Sequence, residues 1–87
     1  MTVTFYGRIT EYTNGEKTFM PSASHSTLSA LLGELSGHYG EAFESFIHGN
    51  EACLILVNGN GVMMSGGLDS PLKPDDRIDI LPFVDAG

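Results

Sequence analysis

The only cysteine of the sequence, Cys53, is the first residue with obvious chemistry, because a thiolate can act as a nucleophile or relay sulfur. It lies in an unbroken apolar run, Cys53-Leu54-Ile55-Leu56-Val57, bounded by Asn50-Glu51 and Asn58-Gly59. Apolar surroundings raise the pKa of a thiol and leave it unreactive. The pattern therefore favours a small buried side chain. One cysteine also rules out an intramolecular disulfide and a cysteine cluster for zinc or an iron–sulfur centre.

Other groups that bind metals, protons or phosphates do not combine into a recognisable site. The three histidines lack the i, i+4 pairing and nearby carboxylates of a metal site; they are His25, His38 and His48. Asp75 and Asp76 follow Pro74, which is typical of a turn rather than a catalytic acid pair. The glycines of residues 61–67 are spaced as in a phosphate-binding loop, but Gly67 stands where that motif requires lysine. We therefore expect no metal site, and no set of nucleophile, base and orienting group that would make the chain an enzyme.

Charge and composition narrow the possible partners. Four Lys and Arg against eleven Asp and Glu give a formal net charge of −7, which repels nucleic-acid phosphates and favours a basic protein partner. A hydrophobic fraction of 41 % in 87 residues is typical of one packed domain with a single core. With neither a signal sequence nor a run of 18 apolar residues, the sequence predicts no secretion and no membrane insertion. Together with the lone cysteine, this pattern predicts a cytoplasmic protein.

The N-terminal part predicts a hairpin. Apolar and polar residues alternate over residues 2–9, which predicts a half-buried strand with Phe5 pointing inward. Asn14-Gly15 suits the positive φ of a turn, and residues 17–20 can return as a second strand until Pro21 interrupts it.

The next segment predicts an amphipathic helix, since hydroxyl side chains in residues 22–27 offer N-caps before an apolar stripe. The residues at helical spacing are Leu28, Leu31, Leu32, Leu35 and Tyr39. Gly37 and Gly40 are expected to end or break this helix. A second short helical segment then carries four apolar residues on one side: Ala42, Phe43, Phe46 and Ile47.

The apolar run of residues 53–57 predicts a central strand buried on both faces. Residues 62–65 form a candidate short strand, and residues 71–76 predict a prolyl and Asx-type turn. The resulting order of elements is hairpin, helix, central strand, short strand and last strand. It predicts an α+β domain with a mixed sheet and one main helix packed across it.

Clean alternation over residues 77–83 predicts the last strand. Ile78 and Ile80 are expected to face the core. Leu81 and Phe83 then lie on the opposite face of the sheet.

Two motifs in the last third of the chain resemble the MoaD/ThiS family of ubiquitin-like sulfur carriers. One is Ile55-Leu56-Val57-Asn58-Gly59, and the other is the segment SPLKPDDRIDILP of residues 70–82, which a short tail follows. The resemblance implies a β-grasp (ubiquitin-like) fold, with a β-grasp domain at residues 1–83 and a carrier tail at residues 84–87. The ending Leu81-Pro82-Phe83 and the length are more similar to the small subunit of molybdopterin synthase than to the thiamine-pathway carrier.

The resemblance also implies the chemistry of the tail, Asp85-Ala86-Gly87. A ubiquitin-activating-type enzyme uses ATP to adenylate the α-carboxylate of Gly87, and sulfur then replaces the adenylate to give a thiocarboxylate. The tail delivers this sulfur inside the large subunit of a synthase that makes molybdopterin or a related pterin cofactor. The carrier itself binds no cofactor and acts as a protein cosubstrate.

Two features of the tail region bear on its partners. The family usually ends in two glycines, whereas Ala86 precedes Gly87 here, so this branch has either a less efficient activation or its own adapted partner. Leu81 and Phe83, beside the tail, are candidate partner-binding residues; they could instead pack under a loop or against a second copy. Two other functions remain open at this point, a ubiquitin-like interaction or regulatory module without carrier chemistry and a thiamine-pathway sulfur carrier.

Overall fold

The computed structural model describes residues 1–22, 25–48, 53–61 and 69–82. Within these ranges one mixed sheet of five strands packs against two helices. The elements are β1 (Thr2–Phe5), a 3₁₀ helix (Gly7–Tyr12), β2 (Thr18–Phe19), α1 (Leu28–Tyr39), α2 (Glu41–His48), β3 (Cys53–Val57), β4 (Asn60–Gly61) and β5 (Arg77–Pro82).

The strand order is β2-β1-β5-β3-β4, with β1 and β5 parallel and the other pairs antiparallel. A sheet of this kind with a helix across one face has the predicted β-grasp architecture. Its core lies between sheet and helices, where Ile80 is paired with Phe5 on one side and Ile55 on the other. Ile78 and Ile80 are fully buried, as the alternation of the last strand predicted.

The prediction that residues 53–57 form the central strand, buried on both faces, is wrong. β5 is the central strand, because it lies between β1 and β3. Of β3, only Ile55 is buried, and Leu54 and Leu56 are half-buried on the face away from the core. An apolar run cannot reveal whether a second layer covers its outer face, and the described helices pack on the inner one.

The N-terminal hairpin forms as predicted, but its first strand is shorter than the expected residues 2–9. β1 ends at Phe5, and Gly7 with a φ of +59° turns the chain into the 3₁₀ helix. Ile9 therefore reaches the core from this helix rather than from a strand. The predicted turn is confirmed at Asn14 and Gly15, both of which have positive φ.

The first helix begins and ends for local reasons. The Thr27 hydroxyl oxygen accepts a hydrogen bond from the Ala30 amide at 3.3 Å, which caps the N-terminus of α1. Four residues of the predicted stripe are buried, and Tyr39 is half-buried against the core; the four are Leu28, Leu31, Leu32 and Leu35. Gly37 lies within α1, which ends only at Gly40, whose φ is +98°.

The second helix follows at once and buries Phe43 and Ile47. Ala42 is exposed, contrary to the expectation that it shares their side, because Phe43 and Ile47 are four residues apart and Ala42 is not in that register. In the described parts of the chain, no helix has the length and apolar character needed to cross a membrane.

Candidate functional site

The predicted tail residues lie outside the described residues, as does Phe83. They are Asp85, Ala86 and Gly87, so the boundary between a domain at 1–83 and a tail at 84–87 stays a prediction. What the structure describes is the base from which the tail continues. β5 ends at Pro82, in the middle of the sheet.

This base is anchored on both sides. Pro82 is paired with Cys53 on β3, and the Tyr6 amide donates a hydrogen bond to the Ile80 carbonyl at 3.1 Å. Pro82 also packs against Gly7, where an added Cβ would lie 3.2 Å from Pro82 Cγ. Gly7 thus has two reasons to be glycine, the close approach and its positive φ. The last described residues of β5 are consequently held in a defined position at the end of the central strand.

The face of the sheet opposite the helices, which we call the open face, carries a half-buried apolar cluster. Leu54 on β3 is paired directly with Leu81 on β5, and Leu56, two residues further along β3, lies on the same face. Leu81 is thus placed on the face where alternation predicted it, close to the end of β5. The sequence interpretation assigned Leu54 and Leu56 to the core. Because the two residues are two positions apart in a strand, their spacing does predict that they lie on the same face of the sheet.

A nearly buried carboxylate, Asp79, lies beside this cluster and was not identified from the sequence. It is paired with Thr4 on β1 and with Leu56 on β3. The Tyr6 hydroxyl donates to its Oδ1 at 3.1 Å, and Arg77 Nε lies 3.5 Å from its Oδ2. The hydrogen bond to Asp79 raises the pKa of Tyr6, because it stabilises the protonated phenol.

The two motifs that carry the family resemblance meet in space at Asn58 and Asp76, which we call the Asn58–Asp76 clasp. Asn58 Nδ2 donates to Asp76 Oδ1 at 2.8 Å, while the Arg77 amide donates to Asn58 Oδ1 at 2.9 Å. The Lys73 amide donates to Asp76 Oδ2 at 2.8 Å. These bonds lower the pKa of Asp76, the Asn58 side chain most strongly, because they stabilise the ionised form. Asp76 is therefore a turn-forming residue, as predicted.

The cysteine and two of the histidines considered in the sequence pack against or bind neighbouring side chains. Cys53 is half-buried at the start of β3, and burial raises the pKa of its thiol. His25 Nε2 lies 2.6 Å from Glu34 Oε1, in a contact that joins the segment before α1 to the helix itself. The His38 ring packs between aromatic rings, with its centroid 4.9 Å from that of Phe19. Across the described ranges, no group of three or more His, Cys, Asp or Glu side chains could hold a metal ion.

Comparison with known proteins identifies the family to which the chain is related. The model of the ThiS family matches residues 3–87. No curated protein sequence matches the chain significantly.

Solved structures match over almost the full length. Mycobacterium tuberculosis CysO, an antigen, is 30% identical with a TM-score of 0.77, covering 95% of this chain and 98% of that one. A chain of the Amycolatopsis orientalis BexX/CysO complex is 25% identical with a TM-score of 0.81, covering 99% and 98%. A chain in the complex of subunits 1 and 2 of molybdopterin-converting factor from Helicobacter pylori 26695 is 27% identical with a TM-score of 0.65, covering 99% and 96%.

Proposed function

Because the chain belongs to the ThiS family of ubiquitin-like sulfur carriers, we propose that it carries sulfur as a thiocarboxylate on Gly87. The observation that supports this most directly is the extent of the family match, which covers residues 3–87 and so includes Gly87. The fold also agrees with the proposal, since β5 brings the chain to the end of the central strand immediately before the tail.

The reaction proceeds in two steps. The α-carboxylate of Gly87 attacks the α-phosphate of ATP, pyrophosphate leaves, and an acyl-adenylate forms. Hydrosulfide from a sulfur donor then attacks the activated carbonyl and forms the C–S bond, and AMP leaves with one of the former carboxylate oxygens. Loss of the hydrosulfide proton gives the thiocarboxylate. Activation is necessary because a free carboxylate has no good leaving group.

The partner supplies ATP binding and catalysis in this proposal. The chain is a protein cosubstrate, binds no cofactor of its own, and is activated by a ubiquitin-activating-type adenylating enzyme. We place these events in the cytoplasm, where the lone thiol of Cys53 stays reduced.

The open face is the proposed docking surface for the activating enzyme and for the protein that accepts sulfur. The apolar cluster there consists of Leu54, Leu56 and Leu81. Leu81 immediately precedes Pro82 at the base of the tail, and we include Phe83 in the docking surface. The structures of two of the relatives were solved in complexes with other proteins, which supports a protein partner.

For the receiving pathway we propose synthesis of molybdopterin or a related pterin cofactor, with a synthase large subunit as the acceptor. The Leu81-Pro82-Phe83 ending and the likeness to a chain of the molybdopterin-converting factor complex support this choice.

The test is thiocarboxylate formation in a reconstituted reaction with the activating enzyme of the source organism, a sulfur donor and ATP. Intact-mass measurement follows the replacement of one terminal oxygen by sulfur. Deletion of Gly87 should abolish the product, because it leaves Ala86 as the terminus one residue short of the ATP site. Thermal melting of each variant serves as the control that the domain remains folded.

Ala86→Gly tests the departure from the usual double-glycine ending. With an ordinary activating enzyme it should keep or increase the rate, since Ala at positive φ costs about 1–2 kcal/mol more than Gly. With an enzyme adapted to Ala86 it should slow the reaction modestly. Full activity of the Gly87 deletion, or none in the wild type with a competent enzyme, would refute the carrier function and favour an interaction module.

A further inference from the structure

The open face carries a carboxylate, Asp79, beside its apolar cluster, and the surroundings of this carboxylate are unusual for a group on the surface of a sheet. The Asp79 side chain is only 10% exposed. Its neighbours across the sheet are Thr4 and Leu56, and Leu81 follows it on the same face of β5. A negative charge is thus set into the edge of the apolar cluster that we propose for docking.

Among the residues that the structure describes, two side chains contact the Asp79 carboxylate, and neither contact is a strong charge-assisted hydrogen bond. Tyr6 donates a neutral hydrogen bond at 3.1 Å. Arg77 Nε is 3.5 Å away, longer than the 2.7–2.9 Å or so of a good charge-assisted bond, and the Arg77 side chain is 64% exposed. Ion pairs with a solvent-exposed partner contribute little to stability. A carboxylate accepts at about four positions, so Asp79 can accept from a further donor.

Docking of a partner protein would change the solvation of the Asp79 carboxylate. A protein that covers Leu56 and Leu81 also removes the remaining water from Asp79, and a desolvated carboxylate without a close cation is costly. The net charge of −7 attracts a basic surface to the chain over a longer range.

We propose that Asp79 determines the specificity of docking, because the activating enzyme places an Arg or Lys side chain against its carboxylate while covering the neighbouring leucines. The inference rests on the proposed function, since it assumes that such an enzyme docks on the open face. In the complex, the partner's cation supplies the short ionic contact that Arg77 does not make. Tyr6 keeps its hydrogen bond and orients the carboxylate.

The experiment measures ATP-dependent adenylation by the activating enzyme of the source organism at varied concentrations of this chain. Asp79→Asn removes the charge but keeps the shape and an oxygen that accepts from Tyr6. It should raise KM at least about 30-fold with kcat little changed, as expected for loss of one partner of a buried charge pair. Asp79→Thr, whose side chain suits a strand, makes the same charge change and replaces Asp79→Asn if that variant does not fold.

Two further variants separate a local effect from a general one. Glu44→Gln makes the same change in net charge at an exposed position of α2, and its KM should stay within about twofold of wild type. Arg77→Gln tests whether the pair within the chain is what the enzyme requires. Its KM should remain unchanged or fall, because Asp79 is then free for the partner's cation.

Three results would overturn the inference. They are an equal rise in KM for Asp79→Asn and Glu44→Gln, a rise for Arg77→Gln as large as for Asp79→Asn, and a change in oligomeric state of Asp79→Asn without a change in KM. The last result would assign the open face to a second copy of the chain. Absence of any adenylation of the wild type would instead refute the proposed function, so the two failures are distinguishable.

Discussion

Replacement of Asn58 by alanine should cost more stability than is usual for an exposed side chain. The change removes the hydrogen bonds from Asn58 Nδ2 to Asp76 and from the Arg77 amide to Asn58 Oδ1. Discounted for exposure, these two bonds contribute about 1–2 kcal/mol. Asn58 also has a φ of +52°, which asparagine tolerates better than alanine, and this backbone strain adds about 1 kcal/mol. We expect Asn58→Ala to lower the free energy of unfolding by about 2–3 kcal/mol.

Two companion variants separate the contributions. Asn58→Gly loses the same side-chain hydrogen bonds but adopts positive φ without strain, so it should be more stable than Asn58→Ala by about 1 kcal/mol. Asn58→Asp keeps an acceptor for Arg77 but places a second carboxylate beside Asp76, and it should be less stable than wild type near neutral pH.

Urea denaturation gives these differences directly, and thermal melting should report a fall of about 4–8 °C for each kcal/mol in a domain of this size. The reasoning would be refuted by an Asn58→Ala variant within about 0.5 kcal/mol of wild type, the range of ordinary surface substitutions. It would also be refuted if Asn58→Gly were the less stable of the pair.

Two further predictions concern packing and pH. Leu35→Ala, in the fully buried stripe of α1, should cost about 2–5 kcal/mol, whereas Leu56→Ala on the half-buried open face should cost less than about 2 kcal/mol; equal losses in urea denaturation would contradict this placement of Leu56. The hydrogen bond from Asn58 lowers the folded-state pKa of Asp76 from 3.8, and the hydrogen bond from the Ser22 amide lowers that of Glu34 from 4.5. The stabilisation from each carboxylate is therefore fully present above its unfolded-state pKa and is lost as pH falls through its folded-state pKa. Asp76→Asn should therefore lose less stability on acidification than wild type, and an unchanged acid profile would count against the clasp.

Local patterns predicted the elements whose causes are local. Thr27 was expected among the N-capping hydroxyls, and its side chain accepts from the Ala30 amide because the first amides of any helix lack partners within it. Asn14-Gly15 predicted its turn because these residues adopt positive φ at low cost. The alternation around Ile78 and Ile80 predicted which face of β5 is buried, since the side chains of a strand alternate.

Reasoning from local patterns failed where contacts with a distant part of the chain determine the conformation or burial of a residue. The shortening of β1 depends on Gly7, which has a positive φ. Because Gly7 has no side chain, Pro82, near the other end of the sequence, can also pack against it. Leu54 and Leu56 read as core residues in an apolar run. Whether such residues are covered depends on which face the helices occupy, and that is a property of the packed structure.

The sequence by itself determined the family resemblance, because the two motifs are visible as a linear pattern, and from that resemblance it predicted a carrier tail at residues 84–87. Only the tertiary structure decided that β5 is the central strand and that Asp79 borders an apolar cluster on the open face. It also decided that Asn58 binds Asp76, 18 residues away, and that Tyr6 binds Asp79, 73 residues away. Such pairings arise when folding brings separate strands together, and spacing along the chain carries no direct record of them.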